Sequence, residues 1–308
     1  MTQKRDHGGG LDAAVAAYGG TRADWVDLST GINPVPYPLG DISAEAWTAL
    51  PDKGAMDRLL TAARAFWNVP DHAGIVVANG ASALISRMPL LTDAGQIDIP
   101  APTYNEHAAA FVAAGRVVTP NAAARVLVHP NNPDGRIWTA QDLTGFTVVD
   151  ESFCDVMPTQ SLVAQAGHDT LILKSFGKFW GLAGLRLGAM IAAPEVCERM
   201  AEYLGPWAVS GPALEIGARA LADHDWANET RARLGADANR LDRLMSAKGA
   251  NVVGGTSLFR LYQVDDAAGW QDRLAQGHVW SRIFPYSKTW IRLGLPHPDK
   301  WAQVEAAL

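Results

Sequence analysis

Short β-branched runs alternate with stretches of helical texture between about Ile75 and Ala193. The runs are Ile75-Val76-Val77-Ala78, Gln96 to Ile99, Arg125-Val126-Leu127-Val128, Thr147-Val148-Val149-Asp150, Thr170-Leu171-Ile172-Leu173 and Leu187 to Ala192. Brief apolar runs at helix-length intervals predict βαβ units, and so a mostly parallel sheet with helices on its faces. Several runs lead directly into polar or Gly-rich segments: Asn79-Gly80-Ala81-Ser82, Pro130-Asn131-Asn132-Pro133, Asp150-Glu151-Ser152 and Ser175-Phe176-Gly177-Lys178. Polar chemistry therefore gathers at the carboxyl ends of strands, where open α/β sheets bind their ligands.

After Gly205-Pro206 the texture changes. Gly211 to Ala222 and Asp225 to Lys248 read as helices, and the Arg and Asp residues of the second are expected to form a solvated face. Then follow Asn251 to Val253, Ser257 to Tyr262, a helix near Ala267 to Gln276, His278 to Ile283, Trp290 to Leu293 and a terminal helix from Pro298. Alternating short elements of this kind predict a smaller α+β lobe. No repeat and no low-complexity linker interrupts the chain.

Composition narrows the function classes. The 308 residues carry 26 Lys+Arg and 32 Asp+Glu, a formal charge of −6, without the basic excess of a general nucleic-acid binder. With 48% hydrophobic and 19% charged residues the chain is globular, and at about 150 residues per domain its length suggests two domains. The start, Met1 to His7, has no apolar signal-peptide core, and Cys154 and Cys197 are the only cysteines. A cytoplasmic protein without a disulfide framework is expected. No run approaches the ~18 apolar residues of a membrane span.

The segment richest in chemistry is Ser175-Phe176-Gly177-Lys178-Phe179-Trp180-Gly181-Leu182-Ala183-Gly184-Leu185-Arg186-Leu187-Gly188. It sets an amine between a hydroxyl and a guanidinium, two groups suited to a phosphate. The apolar Phe179, Trp180 and Leu182 argue against a solvated surface lysine, because burial disfavours the ammonium and favours the nucleophilic amine. Asn79-Gly80-Ala81-Ser82 precedes a helix, so it reads equally as a phosphate site or a simple cap. Asp150 ends a hydrophobic strand and, if buried, needs a cationic partner; otherwise it is a turn or N-cap residue. Asn131-Asn132-Pro133-Asp134-Gly135 is a turn by composition.

These motifs, in this order, resemble the fold-type I pyridoxal-phosphate enzymes. The similarity lies in the branch that holds histidinol-phosphate aminotransferase and threonine-phosphate decarboxylase, and runs from His7-Gly8-Gly9 to Trp290-Ile291-Arg292. The resemblance implies an α/β fold with three parts: an amino-terminal arm with part of the small domain (1-34), a large cofactor domain (35-205) and a small carboxy-terminal domain (206-308). It makes Lys178 the lysine that carries pyridoxal 5'-phosphate, and Asp150 the partner of the ring nitrogen. Ser175 and Arg186, with Ala81 and Ser82, would hold the cofactor phosphate. Asn132 would bond the 3-oxygen, and Tyr104, otherwise a core or interface tyrosine, would stack on the ring.

Two departures stand out. Phe153 occupies the position where aminotransferases of this kind carry a tyrosine that donates to the 3-oxygen. Leu50, before Pro51-Asp52, replaces a tyrosine that reaches the phosphate across a dimer interface. The resemblance also implies that Arg292 holds the substrate carboxylate. Arg282 and His7 would hold a second anionic group, and Ser29, Gly31 and Asn33 would line the pocket, with Lys288 a solvated loop residue. No metal is expected. The implied activity is decarboxylation of L-threonine O-3-phosphate in cobalamin assembly, by a homodimer that takes a phosphorylated amino acid and binds neither nucleic acid nor membrane. An aminotransferase of the histidinol-phosphate type and a non-catalytic protein of the same fold are the alternatives.

Overall fold

The structure, a computed structural model, describes residues 7–308, so residues 1–6 of the expected arm lie outside the described residues. In chain order, α1 (Leu11–Tyr18) and β1 (Val26–Asp27) precede α2 (Ala44–Thr48) and α3 (Lys53–Phe66). An alternating run follows: β2 (Gly74–Ala78), α4 (Ala81–Ile85), β3 (Gln96–Asp98), α5 (Asn105–Ala113), β4 (Val117–Val118), β5 (Ala124–Val128), β6 (Thr147–Asp150), β7 (Thr170–Ser175) and β8 (Gly188–Ala192). The helices α6 (Pro194–Leu204), α7 (Gly211–Ala222) and α8 (His224–Ala247) come next. The chain closes with β9 (Asn251–Thr256), β10 (Phe259–Gln263), α9 (Ala267–Gln276), β11 (Val279–Trp280), β12 (Arg282–Phe284), β13 (Ser287–Gly294) and α10 (Trp301–Ala307).

The chain divides into two compact units. The larger, residues 36–132 and 136–229, is built on a seven-stranded sheet of order β2-β8-β7-β6-β5-β3-β4. Its neighbours pair in parallel except at β8, which runs antiparallel to both β2 and β7. The mostly parallel sheet expected from the alternating runs is therefore present. Fully buried runs such as Leu171-Ile172-Leu173 in β7 and Ala189-Met190-Ile191 in β8 are what a sheet covered on both faces requires. Register aligns the strand ends: Val128 pairs with Asp150, Asp150 with Leu173, and Ser175 with Gly188.

The smaller unit comprises residues up to 35, 133–135 and 230–308. It holds an antiparallel sheet, β12-β13-β10-β9, and the parallel pair β1-β11. The single strand expected from His278 to Ile283 is two strands in two sheets, β11 with β1 and β12 with β13, broken at the buried Ser281.

The boundary expected between 205 and 206 instead falls inside α8, between 229 and 230. The physical reason is α7, which packs on α3 of the larger unit, with Gly217 leaving room for the side chains of Leu59 and Leu187. A second difference concerns the charges of α8, expected to be solvated. Arg260 makes a two-point ion pair with Asp242 at 3.0 and 2.9 Å, which also accepts from Tyr262 Oη at 2.7 Å, and Arg233 donates to Asn33 Oδ1 at 2.7 Å. Among the described residues, no helix is long and apolar enough to cross a membrane.

Candidate active site

A cavity of about 210 Å³ opens in the larger unit at the carboxyl ends of its parallel strands. Ala81, Ser82 and Tyr104 line one part of it, Asn132, Asp150 and Phe153 another, and Ser175, Lys178 and Arg186 a third. The structure thus brings together nine residues that lie more than a hundred positions apart at the extremes. Eight follow or end a parallel strand, and Arg186 precedes the antiparallel β8, whose start lies beside the end of β7, which is why the sheet register collects them.

Close backbone approach shapes one wall. Gly188 lies against the backbone of Gly80 and Ala81, where any Cβ would collide with the Ala81 nitrogen. Gly80 has φ 81°, and a side chain there would displace the Arg186 guanidinium. Arg186 itself is left-handed at φ 54° and ψ 56°, a conformation that costs a non-glycine residue energy and recurs where a side chain must be aimed. Its guanidinium donates to the Ala183 carbonyl at 3.1 Å. Ser175 Oγ accepts from the Gly177 N–H at 3.2 Å, tightening the turn that leads to Lys178. Lys178 Nζ lies 5.2 Å from the centre of the buried Phe153 ring, within cation–π range.

Asp150 lines the same cavity and is 3% exposed. His107 Nε2, from the first turn of α5, meets its Oδ2 at 2.8 Å. Ser152 donates twice to its Oδ1, from the N–H at 3.0 Å and from Oγ at 2.5 Å. Burial pushes the carboxyl toward the neutral form, but the His107 and Ser152 donors outweigh it and hold the pKa below the usual carboxylate range. Asn131 steadies the neighbouring turn, accepting from Thr103 Oγ1 at 2.6 Å and donating to the Pro102 carbonyl at 3.0 Å.

A buried ionic cluster underlies these strand ends. Lys174 Nζ is 2.6 Å from Glu151 Oε2 and 3.6 Å from Asp155 Oδ1. Burial disfavours the Lys174 ammonium, yet Glu151 and Asp155 more than compensate and raise its pKa above the ordinary lysine value. Asp155 also accepts from the indoles of Trp67 and Trp180, each at 3.1 Å, so the Lys178 turn is tied to the cluster through Trp180. His129, Glu151 and Cys154 lie close enough to hold a metal ion, but their polar atoms are engaged. Glu151 accepts from Lys174, Ser161 and Leu162, and His129 accepts from the Trp138 N–H while bonding the Gln160 carbonyl.

The smaller unit holds the residues expected on the substrate side. Arg292, buried on β13, donates to the Ser29 carbonyl at 2.6 Å and pairs in register with Arg282 on β12. Burial first, and then the Arg282 charge, depress the Arg292 pKa to about 10. Ser29 Oγ accepts from the Gly9 N–H at 2.7 Å and donates to Asp27 Oδ1 at 2.6 Å. Gly31 and Asn33 are buried beside it. Arg282 donates to the backbone carbonyl of His7 at 2.6 Å, so His7 meets Arg282 through its main chain. Lys288 is exposed, as expected of a loop-side lysine, although it belongs to β13.

The family model for aminotransferase class I and II matches residues 120–303. A threonine-phosphate decarboxylase of Sinorhizobium sp is 40% identical over 95% of this chain and 93% of its own. One from Pseudomonas aeruginosa is 36% identical over 98% and 97%. The chain belongs to the aminotransferase class I and II family, in its threonine-phosphate decarboxylase branch. Among solved structures, histidinol-phosphate aminotransferase from Sinorhizobium meliloti, in complex with pyridoxal-5'-phosphate, superposes with a TM-score of 0.85 over 97% of this chain and 93% of that one. At 18% identity that likeness concerns the fold of this decarboxylase-branch chain.

Two residues of the site escaped the sequence reading. His107 carries a signal only in retrospect, standing three positions after Tyr104 and so one helical turn along. Ser152 was visible in Asp150-Glu151-Ser152 as a polar strand end, but nothing in the string tells that its hydroxyl turns back on Asp150.

Proposed function

We propose that this protein decarboxylates L-threonine O-3-phosphate to (R)-1-aminopropan-2-yl phosphate with pyridoxal 5'-phosphate, a reaction of cobalamin assembly. The observation that carries the reading is the near-full-length identity of 40% and 36% with two threonine-phosphate decarboxylases. Histidinol-phosphate aminotransferase, the other activity weighed, is supported by more distant relatives, such as one at 28% identity over 86% of the chain.

The residues fit the cofactor by the chemistry of the donor set. Gly80, where a side chain would displace the Arg186 guanidinium, leaves Arg186 lining one cavity with Ala81, Ser82 and Ser175, a set of donors suited to a dianionic phosphate. Lys178 supplies the amine that holds the cofactor. Asp150, buried and ionised, suits a protonated ring nitrogen. Asn132 offers a donor to the phenolic oxygen and Tyr104 a face for the ring, while Phe153 can donate nothing. Bound there, pyridoxal phosphate acts as an electron sink for the pair released when a bond at Cα breaks.

On the substrate side, Arg292 orients the carboxylate by charge-assisted hydrogen bonds. Arg282, with the segment at His7, takes the substrate phosphate, and Ser29, Gly31 and Asn33 contribute to substrate binding. We take the working form as a cytoplasmic homodimer. Leu39, Trp47 and Leu50, large apolar side chains exposed within one short stretch of the chain, support contact with a second chain there, and two free, buried cysteines suit a reducing compartment. Sedimentation tests the dimer: a fully active monomer at micromolar concentration would contradict it. Incubating the cofactor-loaded protein with L-threonine O-3-phosphate and identifying the product by NMR tests the function. Appearance of the aminopropanol phosphate supports it, and an unchanged substrate refutes it.

A further inference from the structure

Asp150 carries more donors than a turn requires. The Ser152 N–H alone would close the tight Asp150–Ser152 turn, yet the Ser152 hydroxyl also donates to the same Oδ1, at 2.5 Å. That is the short range of hydrogen bonds to an ionised acceptor. With His107 on Oδ2, the carboxylate is pinned at both oxygens, and Ser152 lines the same cavity as Asp150 and Lys178. We propose that Ser152 is a positioning residue that fixes the rotation of the Asp150 carboxylate and keeps the shared proton on the cofactor's ring nitrogen. The inference rests on the pyridoxal-phosphate reading above.

A buried carboxylate facing a pyridinium competes with it for one proton, and the two titrate as a pair. Each donor to the carboxylate stabilises its anion and lowers its basicity, which leaves the proton on nitrogen. Burial works the other way. The charged and titratable groups around Asp150 divide into those that help and those turned elsewhere. His107 on α5 bonds it directly, while Lys178 and Arg186 line the same cavity. Glu151, which follows β6, and Lys174 on β7 pair with each other, and the ring of His129 is engaged by Trp138 and Gln160. Among these, Ser152 is the neutral donor that can be removed without changing any charge.

The test loads wild type, Ser152→Ala and Ser152→Thr with pyridoxal phosphate labelled with nitrogen-15 in the ring, and follows its chemical shift against pH. Melting of each cofactor-free protein is measured alongside. In wild type the shift should stay in the pyridinium range through neutral pH. In Ser152→Ala it should move toward neutral pyridine, with the midpoint displaced by about one pH unit, the scale of one lost charge-assisted hydrogen bond. Ser152→Thr, which keeps a hydroxyl, should restore the wild-type shift, and the melting temperatures should be alike. If Ser152→Ala does not fold, Ser152→Gly serves, since it too keeps the N–H and the charge. Identical titrations in wild type and the hydroxyl-free variant would overturn the proposal. If wild type takes up no label, the pyridoxal-phosphate reading itself fails, a result distinct from failure at Ser152 alone.

Discussion

His107 Nε2 and Asp150 Oδ2 meet at 2.8 Å with both side chains closed to solvent, across 43 residues of sequence. The contact binds α5 to the end of β6. Because His107 Nδ1 has no hydrogen-bond partner, the ring's one polar attachment is the carboxylate. Asp150 thereby remains an anion in a place where burial alone would neutralise it.

Asp150→Asn tests that state directly. A carboxyl whose pKa is lowered on folding contributes stability above its unfolded value, about 3.9, and that contribution is lost as pH falls through the lower folded value. Cofactor-free wild type should therefore be more stable than Asp150→Asn at neutral pH, and the gap should close on acidification. Turnover of the loaded variant should fall by orders of magnitude, since an amide cannot stabilise a protonated ring nitrogen. Thermal melts against pH with a constant gap, or near-normal turnover at saturating cofactor, would contradict the assignment.

Phe153 leaves the cofactor's phenolic oxygen with Asn132 as its expected side-chain donor. Phe153→Tyr adds a hydroxyl where Lys178 Nζ stands 5.2 Å from the ring centre. A donor to that oxygen weakens its hold on the proton shared with the lysine-bound nitrogen. The pH midpoint of the visible absorption band should drop, and a spectral titration with no change or a rise would exclude this geometry.

Lys174→Met should destabilise the fold by about 3–5 kcal/mol, the usual cost of leaving a buried charge without its partner. Glu151 and Asp155 would then face each other uncompensated. Adding Glu151→Gln should recover part of that loss, giving a coupling of more than ~0.5 kcal/mol in urea unfolding. Simple additivity of the two changes would show that the cluster is not a unit.

Most of the larger unit was legible because its chemistry is local. Lys178, Ser175 and Arg186 fall within one short string, and Asp150 and Asn132 each end or follow an apolar strand that the alternation marks. What stayed hidden depends on tertiary approach. His107 looks like any histidine near a helix start until the sheet brings Asp150 beneath it. Lys174 falls just past the apolar run that ends at Leu173 and carries no signal of its own, and Asp242 reads as solvated charge, until Glu151 and Arg260 close on them. The unit boundary was misplaced for a similar reason: α8 is one uninterrupted helix, so no change of pattern marks where its packing partners change.

Arg292 and Arg282 pair in register on adjacent strands, and the Arg282 charge adds to the cost that burial puts on charging Arg292. An anionic substrate relieves that repulsion. Arg292→Ala should lose at least about tenfold in kcat/KM, given ~1.5–3 kcal/mol for each charge-assisted bond. Arg282→Ala should instead narrow the preference for phosphorylated over plain threonine. Equal loss on both substrates in Arg282→Ala would remove it from the phosphate site.

The bond broken at Cα decides between the decarboxylase and the aminotransferase. L-Threonine O-3-phosphate labelled in its carboxyl carbon, given to the loaded protein with no 2-oxo acid, should release labelled CO2. A parallel reaction with histidinol phosphate and 2-oxoglutarate should form no glutamate. Glutamate without labelled CO2 would contradict the decarboxylase and move this chain to the aminotransferases.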